Sequence, residues 1–198
     1  MVKKIYTTFF YYDIIPSGEL VMVEDMKVTL EANENVTKEV ADNLLELITI
    51  FSSNFKDVSL ETLKERLKTL KIRRESMYVA KLPCQYNPYN NEIVINLGRF
   101  EQCDAKHWLM HCLLGIITAK DNYYGFNNPD NTLVALNEGY TEILTNYLVG
   151  DIEDNFYVDE VIMTNLISKV IGEDTLFTAY FANDSARVLR AMIEAEEK

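Results

Sequence analysis

The chain has two histidines, and they stand four residues apart in the segment His107-Trp108-Leu109-Met110-His111. Two imidazoles at that spacing share one face of a helix. At about 100° per residue, Cys103, His107, His111 and Gly115 form a single strip, while Trp108, Leu109, Met110, Cys112, Leu113, Leu114, Ile116 and Ile117 cover most of the remainder. The spacing therefore predicts a helix buried nearly all round, with one polar edge. An unpaired buried polar group costs about 1 to 3 kcal/mol, so such an edge faces a polar cleft or a metal. The alternative is that each imidazole is satisfied by a backbone carbonyl or by a carboxylate such as Asp104. Downstream, Glu138, Thr141, Glu142 and Thr145 fall on one face of a second apolar helix. Two carboxylates one turn apart there seek a cation, an arginine or water.

The rest of the chain must position these groups. Residues 5–12, 20–23 and 26–31 are rich in β-branched and aromatic types, with Pro16-Ser17-Gly18 as a turn, and they read as a small β-meander. Val40, Leu44, Leu47, Ile48 and Phe51 predict an amphipathic helix with Thr37 as its N-cap, and Leu60, Leu63, Leu67 and Leu70 a second one capped by Ser59. The segment Cys84 to Asn91 reads as a turn between strands at 78–82 and 92–97. Helices are expected at 101–119, 133–149, 158–171 and 173–194, with a polar loop over 121–131. The layout is one α+β domain over 1–198, an α+β lobe at 1–120 followed by a helical lobe at 121–198.

Composition narrows the partners. The 198 residues carry 19 Lys and Arg against 31 Asp and Glu, a net charge of −12, which repels phosphate backbones and anionic lipid. Neither nucleic acid nor a membrane is expected as a partner. Cys84, Cys103 and Cys112 are odd in number and follow no CxxC spacing, so they read as free thiols of a reducing compartment. The apolar start is interrupted by Asp13 and lacks a small-residue cleavage site, and the longest later apolar run is Leu113 to Ile117, so a cytoplasmic protein is expected.

Three blocks then acquire a common meaning. Leu109 to Gly115 reads LMHCLLG, residues 125–128 read GFNN, and residues 135–142 read ALNEGYTE. With the tail at 170–193 and the strand EIVINL at 92–97, they resemble the gluzincin branch of zinc metallopeptidases, the thermolysin-like enzymes with an HExxH helix and a downstream glutamate as third zinc ligand. The resemblance covers roughly 76–194 and implies a zincin-like fold. It implies that Glu138 is the third ligand, with Asn137 and Glu142 beside it, and that EIVINL is the edge strand that holds extended substrates by strand addition.

The departures from the family pattern decide the functional expectation. In the preferred alignment His111 takes the first ligand position, Cys112 replaces the glutamate, and Gly115 replaces the second histidine, leaving a hole where an imidazole would project. In the other alignment His107 and His111 form the HxxxH pair, but Trp108 occupies the general-base position. Such a base contributes about 10² to 10⁴ in rate, and zinc catalysis needs three protein ligands. The expected protein is thus a catalytically inactive metallopeptidase-like module with no catalytic residue and no cofactor, its former cleft available to an extended peptide or protein. The alternative is an atypical zinc-dependent peptidase or hydrolase using Cys103, His107, His111 and Glu138, or a thiol hydrolase using Cys112. A third reading is an interaction protein whose 12 tyrosines, Tyr6, Tyr11 and Tyr12 among them, line a partner surface.

Overall fold

The computed structural model describes residues 17–76, 82–150 and 156–197. The strand expected at 5–12, with Tyr6, Tyr11 and Tyr12, and most of the one expected at 78–82 lie outside the described residues. Within them the architecture is mixed α and β, with helices predominating around one three-stranded sheet. None of these helices is long and apolar enough to cross a membrane.

Where the meander's strands at 20–23 and 26–31 were expected stands a helix, α1 (Ser17–Glu31). Its β-branched residues suggested strands, yet Met26 and Leu30 lie one turn apart and are both fully buried. Packing on the next two helices overrides the local preference. These are α2 (Lys38–Asn54), on which Val40, Leu44, Leu47, Ile48 and Phe51 are all buried, and the short α3 (Glu61–Leu67). Thr37 precedes α2 in extended conformation but makes no side-chain cap, whereas Ser59 Oγ does accept from Glu61 N at 3.4 Å.

The sheet comprises β1 (Lys71–Glu75), β2 (Cys84–Asn87) and β3 (Glu92–Asn96) in the order β1-β3-β2, with β1 parallel and β2 antiparallel to β3. Two expectations are corrected here. The stretch read wholly as a turn contains β2, whose Cys84 and Tyr86 are buried while Gln85 is exposed, so only residues 88–91 turn. The strand over EIVINL is central, because its continuous apolar run is covered on both faces; β2, with alternating burial, forms the edge. Asn91 closes the hairpin in left-handed conformation (φ 49°), its Nδ2 donating to Arg66 O and Thr69 Oγ1 and its Oδ1 accepting from Tyr86 Oη. Arg66 in turn donates to Pro88 O and Asp121 O.

A single turn, α4 (Leu97–Phe100), leads to α5 (Ala105–Ile117). Asp104 caps α5, its carboxylate accepting from Lys106 N and His107 N, so Cys103 lies ahead of the helix rather than on its histidine strip. Every residue of α5 from His107 to Ile117 is buried. Around it pack α2, α3, β2 and α6 (Val134–Val149). The chain continues through α7 (Val158–Ile171), α8 (Glu173–Phe181) and α9 (Ser185–Glu196). The single helix expected at 173–194 is thus two, broken where Asn183 takes a φ of 51° and Asp184 caps the next helix by accepting from Arg187 N.

Helices α6 and α7 meet at Gly139. A Cβ there would stand 2.3 Å from Glu160 O and 2.4 Å from Thr164 Oγ1. This backbone-to-backbone approach fixes the rotation of α6 and so the direction in which the neighbouring Glu138 projects. Gly139→Ala should force the helices apart at a cost of about 1 to 3 kcal/mol, read as a lowered midpoint in urea denaturation, although alanine is the better helix former.

Candidate functional site

A cleft of about 1130 Å³ opens between the edge strand β2 and the helices α5 and α6. Its floor presents His111 and Gly115 from α5 and Glu138 from α6, with Tyr124 and Tyr157 beside them. Asn96 N donates to Pro83 O, and with the pairing Cys84↔Ile95 this sets the ladder so that Cys84 and Tyr86 turn their backbone N–H and C=O groups away from β3. Among the described residues no strand pairs with the outer edge of this strand, which lines the cleft.

His111 Nε2 and Glu138 Oε2 face one another at 3.9 Å, and Glu142 Oε2 stands 4.0 Å from the same nitrogen. This nitrogen is buried and has no hydrogen-bond partner among the described residues. The ring stacks on Tyr157 with centroids 5.2 Å apart and planes 7° from parallel. Burial lowers the His111 pKa below its ordinary 6.5, outweighing the opposite pull of Glu138 and Glu142, so the imidazole is neutral at pH 7.

Glu138 is held by neutral donors. Its Oε1 accepts from Tyr124 Oη at 3.1 Å and from Asn137 Nδ2 at 3.2 Å, and Tyr157 lines the cleft nearby. Burial, reinforced by Glu138, pushes both phenols upward, so they remain protonated donors. Asn137 is positioned in turn by Phe126 N, which donates to its Oδ1 at 2.9 Å.

The other strip residues are distributed differently from the sequence expectation. His107 is 1% exposed and lies outside the cleft lining, its Nε2 3.1 Å from the Glu142 carboxylate. Trp108 is fully buried, edge-on to Phe156 at 5.1 Å, and belongs to the core. Thr141 and Thr145 are fully buried; Thr141 pairs with Tyr180 Oη at 2.7 Å, and Thr145 donates back to its own helix. Cys103 packs at the core's margin. Among the described residues no group of three or more His, Cys, Asp or Glu is arranged to hold a metal ion.

Cys112 points at the sheet, its Sγ 3.3 Å from that of Cys84. Burial, then contact with Cys84, keeps the Cys112 thiol well above its ordinary 9.0. It is a thiol and not a thiolate at neutral pH, which is the wrong state for a nucleophile. The space beside Gly115 is not the expected hole. A Cβ there would meet Tyr86 Cδ1 at 3.1 Å and Tyr124 Cδ2 at 3.5 Å, because these two rings have closed over the position.

Tyr86, Tyr124, Tyr157 and Cys84 were not singled out by sequence reasoning. Each lies on a strand, a loop or a helix entrance that lacks the helical spacing by which the histidines and glutamates were found.

Two outcomes test this geometry. Gly115→His should displace the Tyr86 ring and break its bond to Asn91, costing about 1 to 3 kcal/mol in chemical denaturation. Tyr86→Ala in the same chain should recover part of that loss. The second concerns pH: the folded pKa of His111 lies below the unfolded value, so the unfolded chain takes up the proton first as pH falls. Native stability should drop as pH falls through about 6.5 and level off below the folded pKa. The stability difference between the natural chain and His111→Gln should accordingly shrink between pH 7.5 and pH 5.5. Compared with known proteins, the chain matches no family model, no curated protein and no solved structure.

Proposed function

We propose that this chain is a catalytically inactive relative of the gluzincin metallopeptidases, a zincin-like fold whose former substrate cleft binds an extended peptide segment. The observation that carries the reading is the approach of His111 to Glu138, 3.9 Å apart on the floor of a cleft walled by a strand edge that no other described strand pairs. An extended segment added antiparallel or parallel to β2 gains main-chain hydrogen bonds from Cys84 and Tyr86, while its alternate side chains point into the cleft.

The chemistry of the donors supports inactivity. In the preferred alignment Cys112 stands where the general base belongs, and its thiol turns towards Cys84 rather than the cleft. Gly115 stands where a second imidazole belongs, under two tyrosine rings. Glu138, the remaining carboxylate ligand, is occupied by Tyr124 and Asn137, donors that stabilise the carboxylate without a cation. In the other alignment His107 is engaged by Glu142 and Trp108 is core. Each substitution removes one requirement of zinc hydrolysis: a ligand, the base, or the ligand's freedom to bind metal.

Elemental analysis of protein purified without chelator or affinity tag, alongside His107→Ala and Glu138→Ala, tests the reading. The expected outcome is no stoichiometric zinc and no cleavage of an unstructured protein such as casein. Stoichiometric zinc that disappears in both variants, together with cleavage, would overturn it in favour of the Cys103, His107, His111 and Glu138 hydrolase.

A further inference from the structure

We propose that the point between His111, Glu138 and Glu142 is a seat for a primary ammonium group carried by the segment that enters the cleft. The inference rests on the reading of the cleft as a peptide site and names what that site selects. Three acceptors converge there. Glu138 Oε2 and Glu142 Oε2 stand 3.9 and 4.0 Å from His111 Nε2, and that nitrogen is buried without a partner. A side chain 8% exposed, lining the cleft with an unpartnered polar atom beside two carboxylates, points to a ligand with hydrogen-bond donors.

The spacing distinguishes the ligand. Zinc bonds of about 2.1 Å to two atoms this far apart would subtend roughly 140°, against about 109° for the tetrahedral geometry zinc prefers. Ammonium hydrogen bonds of about 2.8 Å subtend roughly 90°, which an –NH3⁺ group with three donors tolerates. The neutral imidazole offers a lone pair at Nε2 when its proton resides on Nδ1, and the two carboxylates supply the opposing charge.

The surrounding wall favours the same choice. Glu75 and Glu160 also line the cleft, and the one cation among its described lining residues, Arg73, is already paired with Glu75 and, at 2.9 Å, with Glu92. The local field attracts a cation and disfavours an acidic segment. A primary ammonium reaches a peptide in two ways, as an amino terminus or as a lysine side chain. The chemistry of the seat is the same for both.

Three alanine pentapeptides titrated into the full chain separate these cases: one blocked at both ends, one with a free amino terminus, and one blocked but with a central lysine. The readout is the ring ¹⁵N resonance of His111, assigned by its loss in His111→Gln, which is simple in a chain with two histidines. At least one ammonium-bearing peptide should bind about tenfold or more tightly than the blocked one, and that preference should vanish in Glu138→Gln. The arm that binds identifies the source. Equal binding of all three peptides would overturn the ammonium seat and leave the peptide cleft standing. Binding of none would overturn both. The comparison among peptides on the natural chain stands even if Glu138→Gln folds poorly.

Discussion

Everything in this structure follows from burying a helix that carries polar side chains. Helix α5 is enclosed by α2, α3, α6 and β2, and it carries two imidazoles into that enclosure. Each must find a partner or face a cavity, because desolvation without compensation costs more than any packing nearby returns. His107 finds Glu142; His111 faces the cleft. The carboxylates of α6 are where they are because α7 presses against Gly139 and allows α6 one rotation. A glycine with no chemistry of its own therefore sets the direction of the residue that has the most.

The character of the site is set by which donors surround its carboxylate. Glu138 is met by a phenol and an amide, groups that hold a negative charge in place without neutralising it. Next to it lies a neutral imidazole with a free nitrogen. Among the described residues no Lys or Arg pairs with the Glu138 carboxylate, so the charge at the cleft floor is held by neutral donors. On the same helix as that imidazole, the Cys112 thiol is turned to Cys84 and Gly115 lies under two tyrosine rings.

The helices that carry the site were legible because their apolar residues recur at helical spacing. The buried stripe of α2, the bounds of α6 and α7, and the enclosure of α5 all follow from periodicity. The facing of His111 and Glu138 was legible only through their local blocks of residues. What periodicity could not supply is what depends on tertiary contact. Residues 20–31 hold β-branched side chains that suit a strand equally well, and only the packing of Met26 and Leu30 decides for helix. The strand within CQYN was hidden by turn-forming residues, and its place at the sheet's edge depends on β3 being the more apolar. Tyr86 closing over Gly115 joins residues from a strand and a helix, a juxtaposition that no local pattern announces.

The hairpin that walls the cleft has a mechanical consequence. At its tip Asn91 and Arg66 tie the turn to α3, and near its start Cys84 rests on Cys112 and Pro83 is bonded to Asn96. The strand behaves as a beam clamped at both ends, not as a flap hinged at one. For the extended segment proposed above, such a rim would be shaped in advance, and the ordering cost would fall on the guest alone. Selectivity in such a groove comes from what the guest carries to the floor, since the rim cannot bend to improve a poor fit.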